Sequence, residues 1–464
     1  MPRFQRRKRD FTEPRASTRR GSRSLLTDSL LAGGLLAGAA GLIGVAPLAT
    51  AGTPAGTAME AIAMAAPADE TDGGGSDHSW HDGRDEVKFV PCESGELVGA
   101  IAEANANGGG NLRLAPKCTY TLTGYGENQA EGDRTGLPEI WQPIVIEGSG
   151  ATITRDANAP EFRFFTVRAG GDLHLSDVTL TNGRAGSGGG IRIDHDGTAV
   201  VEHATITGNA AVAPDGSGGG IFNDGHLTLT ESKLSDNHAT GPSGKGGGML
   251  NGGVLAVKWT EFTKNSANEF GGGFANFQGA ADLSESTFAH NRAGDGGGIA
   301  SVAARTKVWT IKVTDNTANT GGGVANKDAT ITLRDATIDH NTSTVAGGGV
   351  STIQGLLTLD DSTVAANTTG GDGAGIFSER SNLLVRTSES SRNKAVGLHS
   401  KGGGLSATGG DVRLFRSKVI ENDATEQAGG VFTPDGVVKV DDETVIAGNH
   451  PCGGLREEGD DCVA

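Results

Sequence analysis

The chain has 464 residues, 76 of them Gly, with aromatics at only 5% and a formal net charge of −17. The Gly is periodic at the length of one solenoid coil, which excludes both collagen and a flexible low-complexity linker. The acidic balance disfavours nucleic acid and anionic membranes. It also disfavours polyanionic substrates such as pectate, unless a local cation or bound Ca²⁺ intervenes.

Residues 1–51 read as an export signal peptide. Arg3 to Arg23 is basic, Leu30 to Leu48 is apolar and small, and Ala49-Thr50-Ala51 is a small-x-small cleavage signal. Arg19-Arg20 fits a twin-arginine signal, but the apolar pair arrives late, at Leu25-Leu26, so the twin-arginine and general secretory routes both stand. Without this stretch the chain holds 30 basic and 53 acidic residues, a net charge of −23. Residues 52–86 are rich in Ala, Gly, Pro, Asp and Ser and read as a disordered linker.

Residues 87–182 form an N-terminal cap and the first coils. Glu96 to Asn105 has the spacing of a short helix, with Leu97 and Ile101 one turn apart and Ser94 placed to cap it. Strand-like segments follow at Leu112-Arg113-Leu114, Tyr120-Thr121-Leu122, Ile144-Val145-Ile146, Ala151 to Thr154, Phe162 to Arg168 and Leu173-His174-Leu175. The four Cys fall into local pairs, Cys92 with Cys118 and Cys452 with Cys462. In an exported chain these read as two disulfides closing the ends of the fold.

Residues 183–449 repeat one phrase: a glycine run, an apolar residue, a turn, two alternating apolar residues, then Asn. Gly246-Gly247-Gly248-Met249 and Gly271-Gly272-Gly273-Phe274 are two copies of the run. The Asn series is Asn209, Asn237, Asn265, Asn291, Asn316, Asn341, Asn367, Asn393 and Asn422, spaced 25 to 29 residues apart, with Asn182 and Asn449 at either end. Counting back from each Asn, apolar residues stand at −10, −8 and −3, and a small residue often at −5. The alternation is a strand signal, and a fixed period of this size means stacked units that cannot bury their apolar face alone. The pattern predicts an all-β, parallel β-helix (a β-solenoid) of about eleven or more coils, three short strands to a coil, with a short N-terminal capping helix. Stacked Asn amides form a ladder inside the coil, Asn itself tolerating the left-handed turn conformation. Glycine supplies positive φ and close backbone approach. Residues 450–464 form a disulfide-closed tail.

The glycine run with its apolar residue, and Phe262-Thr263-Lys264-Asn265 and Phe288-Ala289-His290-Asn291, resemble the repeats of the polymorphic outer-membrane proteins. The wider likeness, over roughly residues 87 to 464, is to secreted bacterial proteins with right-handed parallel β-helix repeats, the pectin-lyase-like fold, so the resemblance implies a right-handed parallel β-helix. The resemblance implies the fold and little about activity, because that fold hosts lyases, hydrolases, adhesins and proteins without a reaction.

Catalytic signals are sparse. Ile191-Arg192-Ile193-Asp194-His195-Asp196 resembles the strand that pectate lyases carry before an Asp-His pair, which makes Asp194, His195 and Asp196 the weak catalytic candidates. Arg192 stands where such lyases have Trp, and the companion Arg-x-Pro-x-x-Arg segment is missing. The polygalacturonase motifs are absent; Asp360-Asp361 and Asp441-Asp442 occur without the rest. The position before each ladder Asn mixes signs (Asp236, Lys264, His290, Asp315, Arg392), as a solvent-facing row requires. Among the aromatics, Phe262, Phe274 and Phe288 fall on core positions. Trp259, Phe270, Phe277 and Trp309 fall off them; exposed rings there can stack on sugars, but partial filling of the core is the favoured reading. Ala210 to Ser217 and Thr240 to Lys245 are the loops long enough to wall a groove.

These features predict a secreted, monomeric β-helix protein with a binding or structural role toward a polysaccharide or cell-surface component and no legible active site. The alternative is a polysaccharide lyase or glycoside hydrolase of the same fold. No cofactor is expected, Ca²⁺ entering only under the lyase alternative. No membrane span is expected in the mature chain.

Overall fold

The computed structural model describes residues 86–127 and 129–454, all within one compact unit, His78–Ala464. The signal stretch, nearly all of the linker and Cys462 lie outside the described residues.

The described chain is a parallel β-helix. Its first sheet begins at Val87–Val90 and Gly110–Leu114 and ends at Val438–Val440, and it stacks fourteen strands, one per coil. At strand spacing this gives a stack roughly 60 Å long. The count exceeds the regular repeats because the early coils wind the same way without a glycine run. A second sheet runs from Thr119–Leu122 to Val445–Ala447 and a third from Phe165–Val167 to Val431–Phe432. In the three main sheets pairing follows the sequence period without slippage through the regular coils; the fourth strands shift register once, between Ala318 and Thr320. Leu227 and Leu229 sit beside Leu255 and Val257, and Ile221 sits beside Met249. Most coils from Arg184 on also carry a fourth short strand after the Asn, of two residues in Ala210–Ala211 and His238–Ala239 and of five in Thr342–Ala346; after Asn291 there are only isolated bridges at Arg292 and Asp295. The three-strand coil expected from the alternation lacks it because most of these strands are two residues long, too few to alternate.

Alternation places Ile191, Ile221, Met249, Phe274, Ile299, Val324, Val350, Ile376, Leu405 and Val431 in one buried column. Phe262 and Phe288 stack face to face at 4.7 Å beside Phe274. Full burial of each ring stabilises the middle coils by about 2 kcal/mol.

The first Gly of each run has positive φ, between 59° and 66° from Gly188 to Gly402. The second is needed for space. A Cβ on Gly272 would lie 2.5 Å from the backbone N and O of Arg292 and the carbonyl oxygen of Gly297.

The helix spans Ser94–Ala106 and buries Leu97, Ala100, Ile101 and Ala104 over the first coils. Ser94 is not its cap. The N-cap is Glu93, without a side-chain capping bond. The Ser94 hydroxyl instead donates to the Thr121 carbonyl at 2.9 Å, tying the helix to the second sheet. Cys92 and Cys118 form a disulfide beside this cap.

Candidate functional site

The ladder asparagines stack in one vertical column. Asn291 is typical: its Oδ1 accepts from the backbone N–H of Asn265 at 2.9 Å and from Asn265 Nδ2 at 3.1 Å. Its Nδ2 donates back to the Phe262 carbonyl and forward to Asn316 Oδ1. The same exchange links Asn209 through Asn237, Asn265, Asn316, Asn341, Asn367, Asn393 and Asn422 to Asn449. The left-handed conformation falls not on these asparagines but on the residue before each. Asp236, Lys264, His290, Asp315, His340, Ala366, Arg392 and Glu421 all have φ between 53° and 56°. The Asn needs an ordinary backbone so that its side chain turns inward; its predecessor makes the corner. A second, shorter column, Asn223 to Asn251 to Asn276 to Thr306, runs under the third sheet. Hydroxyls at the −5 position form a third column, Ser362 to Ser388 to Ser417 to Thr444.

The three catalytic candidates separate. Asp194 is mostly covered and is gripped by two guanidiniums, accepting from Arg168 Nη1 at 2.7 Å and from Arg192 Nε at 2.7 Å. His195 and Asp196 point outward, 82% and 72% exposed. Arg168 also bonds Glu139, and the buried Arg163 bonds Asp133 at 2.7 Å and the carbonyls of Gly132, Asp133 and Ser187. Burial alone would raise the Asp194 carboxyl, but the hydrogen bonds from Arg192 and Arg168 outweigh it and hold the group below the usual carboxylate range. The Glu139 hydrogen bond, with Asp194 adding to it, pushes Arg168 up against the pull of burial. These bonds form a clasp that fastens the segment around residues 132–139 onto the early coils. Among the described residues, no group of His, Cys, Asp or Glu is placed to hold a metal ion.

A surface suited to a ligand lies elsewhere, along the corner between the first and second sheets. One residue per coil makes that corner with positive φ: His203, Glu231, Trp259, Glu285, Thr310, Asp335, Asp361, Thr387 and Arg416. The bend leaves a shallow groove of about 520 Å³ lined by His203, Glu231, Lys233, Trp259, Glu261 and Glu285. Trp259 is 49% exposed in it. Its Nε1 donates to Glu285 Oε2, and the Lys258 ammonium lies 3.8 Å from its ring centroid and 3.5 Å from Glu285. Trp309, 51% exposed, ends the first-sheet strand two coils on. Its carbonyl accepts the Glu285 N–H.

Of the off-pattern aromatics, Phe270 is buried and not exposed. Lys327 reaches over its ring at 5.7 Å, and the ring packs down where the glycine run leaves room. Phe277 is half-buried under Lys245. The two segments expected to wall a groove instead stack on each other and on their neighbours: Val212 donates to Ala185, Thr240 to Ala211 and Ser243 to Pro214. His203, Glu231 and Glu285 are absent from the residues singled out in the sequence. Their signal was the position six before each ladder Asn.

No family model and no curated protein sequence matches the chain. Among solved structures it is similar to the A-module of Azotobacter vinelandii mannuronan C-5 epimerase AlgE4, at 13% identity and a TM-score of 0.43, covering 76% of this chain and 96% of that one. It is also similar to a tailspike protein of E. coli bacteriophage HK620 solved with a pentasaccharide, at 10% identity and a TM-score of 0.26, covering 77% of this chain and 63% of that one. At this identity and overlap the likeness is one of chain path, and neither protein bears on what this chain binds or does.

Proposed function

We propose that this chain is an exported glycan-binding protein: a rigid, monomeric β-helix that holds a polysaccharide or cell-surface glycan along the corner between its first and second sheets. The observation that carries the reading is Trp259, an exposed indole fixed by Glu285 and Lys258 on the floor of an axial groove. A ring held at both its N–H and its face loses little freedom on binding, and its free area suits the apolar face of a sugar. Glu231, Glu261 and Glu285 leave acceptor lone pairs for hydroxyl groups. Export is supported by the pattern of residues 1–51 and by the Cys92–Cys118 disulfide.

The test is affinity electrophoresis of the full chain in gels containing single polysaccharides. Retardation by at least one neutral polysaccharide is expected, and Trp259→Ala abolishes it. Equal mobility of the wild-type and Trp259→Ala chains in every gel overturns the reading. New reducing ends or unsaturated sugars released from the same panel would show the alternative, a glycoside hydrolase or polysaccharide lyase, and Ca²⁺ belongs to that alternative alone.

A further inference from the structure

The outer face of the second sheet carries two parallel files of threonine over four consecutive coils. One file is Thr119, Thr152, Thr179 and Thr205; the other is Thr121, Thr154, Thr181 and Thr207. Each residue pairs in register with its counterpart on the next coil. Between the files Tyr120, Ile153, Leu180 and Ile206 are fully buried, so strand alternation sends all eight threonines outward. None of the eight is buried. Thr154 Oγ1 accepts from Asn182 Nδ2 and donates to the Arg155 carbonyl, and Thr207 Oγ1 accepts from Ser235 Oγ. Among the described residues the other six hydroxyls have no hydrogen-bond partner, and no threonine of the array bonds another. The array carries no charge in a chain of net −17, and the first file ends on the fifth coil at Lys233.

We propose that this array is an ice-binding face, its ligand the surface of crystalline water. Strand geometry sets its spacing: hydroxyls recur about every 4.8 Å along the axis and about 6.7 Å across each strand. Both distances lie near oxygen repeats of ice, so water bonded to the hydroxyls is held close to its crystalline positions. Threonine suits the task. Its branched side chain is stiff, so the hydroxyls and methyls hold their places at little entropic cost. The methyls order the water between the hydroxyl rows. A charged side chain would keep a hydration shell of its own out of step with the lattice, and the array has none. The same composition disfavours a sugar chain, since no ring stands among the eight to stack on a sugar face. The array adjoins the groove at Thr205 but does not depend on the glycan reading.

The experiment measures thermal hysteresis and inhibition of ice recrystallisation by the full chain, with Thr179→Lys inside the array and Thr330→Lys on the first sheet as the control. The wild type should hold a gap between freezing and melting points and keep ice grains small. Thr179→Lys should lose most of both activities, and Thr330→Lys should keep them. Absence of both activities in the wild type overturns the proposal, and so does equal activity of Thr179→Lys and the wild type. Loss of glycan retardation in Thr179→Lys, with no ice activity in the wild type, assigns the array to the groove and overturns it as well. Far-ultraviolet circular dichroism separates loss of the face from loss of fold; should Thr179→Lys fail to fold, Thr152→Lys takes its place with the same expected loss.

Discussion

Asn291 accepts from one neighbouring coil and donates to two, and all of these groups are buried. Trimming it removes the acceptor of the Asn265 N–H and the side-chain bonds to the Phe262 carbonyl and Asn316, all in the core. Asn291→Ala should cost about 4 kcal/mol by urea unfolding. Asp194 has a different dependence, on pH. Its folded value is depressed, so its contribution is present above the ordinary carboxylate value of about 3.9 and is lost as pH falls through the folded value. Asp194→Asn should cost about 2 kcal/mol at neutral pH and flatten the acid limb of the stability profile. Glycan retention should be unaffected, because the clasp acts on the early coils and not on the groove. Glu285 is a positioning residue. Glu285→Ala should weaken glycan binding less than Trp259→Ala and lower the fluorescence anisotropy of Trp259, a change that loss of a merely structural contact would not produce.

At the scale of the element, the coil is set by its corners. Each coil turns at left-handed positions, of which the one at the glycine run is glycine from Gly188 to Gly402, while the others are glycine only here and there, as at Gly208 and Gly448. The others take Asp, Lys, His, Trp or Arg in a conformation that costs an ordinary residue about 1–2 kcal/mol. They hold it because the hydrogen bonds of the neighbouring coils leave no alternative. Glu231 donates to the Lys258 carbonyl and Glu285 to that of Trp309. Steric demand separates the glycines further. Gly272→Ala should cost about 3 kcal/mol or more, because its Cβ meets backbone from two coils. Gly436→Ala, also at positive φ but with open space around it, should cost only about 1 kcal/mol. Equal losses in thermal melts of the two variants would contradict this account.

At the scale of the molecule, each coil touches only its neighbours, so stability is close to a sum of coil and interface contributions and unfolding starts from an end. The N-terminal end carries the helix and the Cys92–Cys118 bridge, which closes a separation of 26 residues. Its reduction should cost about 3 kcal/mol. Hydrogen exchange should then rise first in residues 87–122 and leave the Asn column protected. Uniform loss of protection along the stack would show a single cooperative unit instead.

The sequence by itself determined the winding, because a repeat that pairs with its own copy imposes its period on the structure: Asn at 25 to 29 residues, apolar residues at −10, −8 and −3, and a glycine at the tightest bend. It did not determine the fourth strand, too short to alternate, nor which residue bears the left-handed strain, since a corner held by neighbouring coils accepts almost any side chain. Nor did it separate Asp194 from His195 and Asp196, because the guanidiniums that decide their fates come from coils and segments outside the motif. The groove was decided only by the tertiary structure. His203, Glu231, Trp259 and Glu285 are strangers in sequence and become one row when stacking turns a distance of about one repeat along the chain into a single strand spacing.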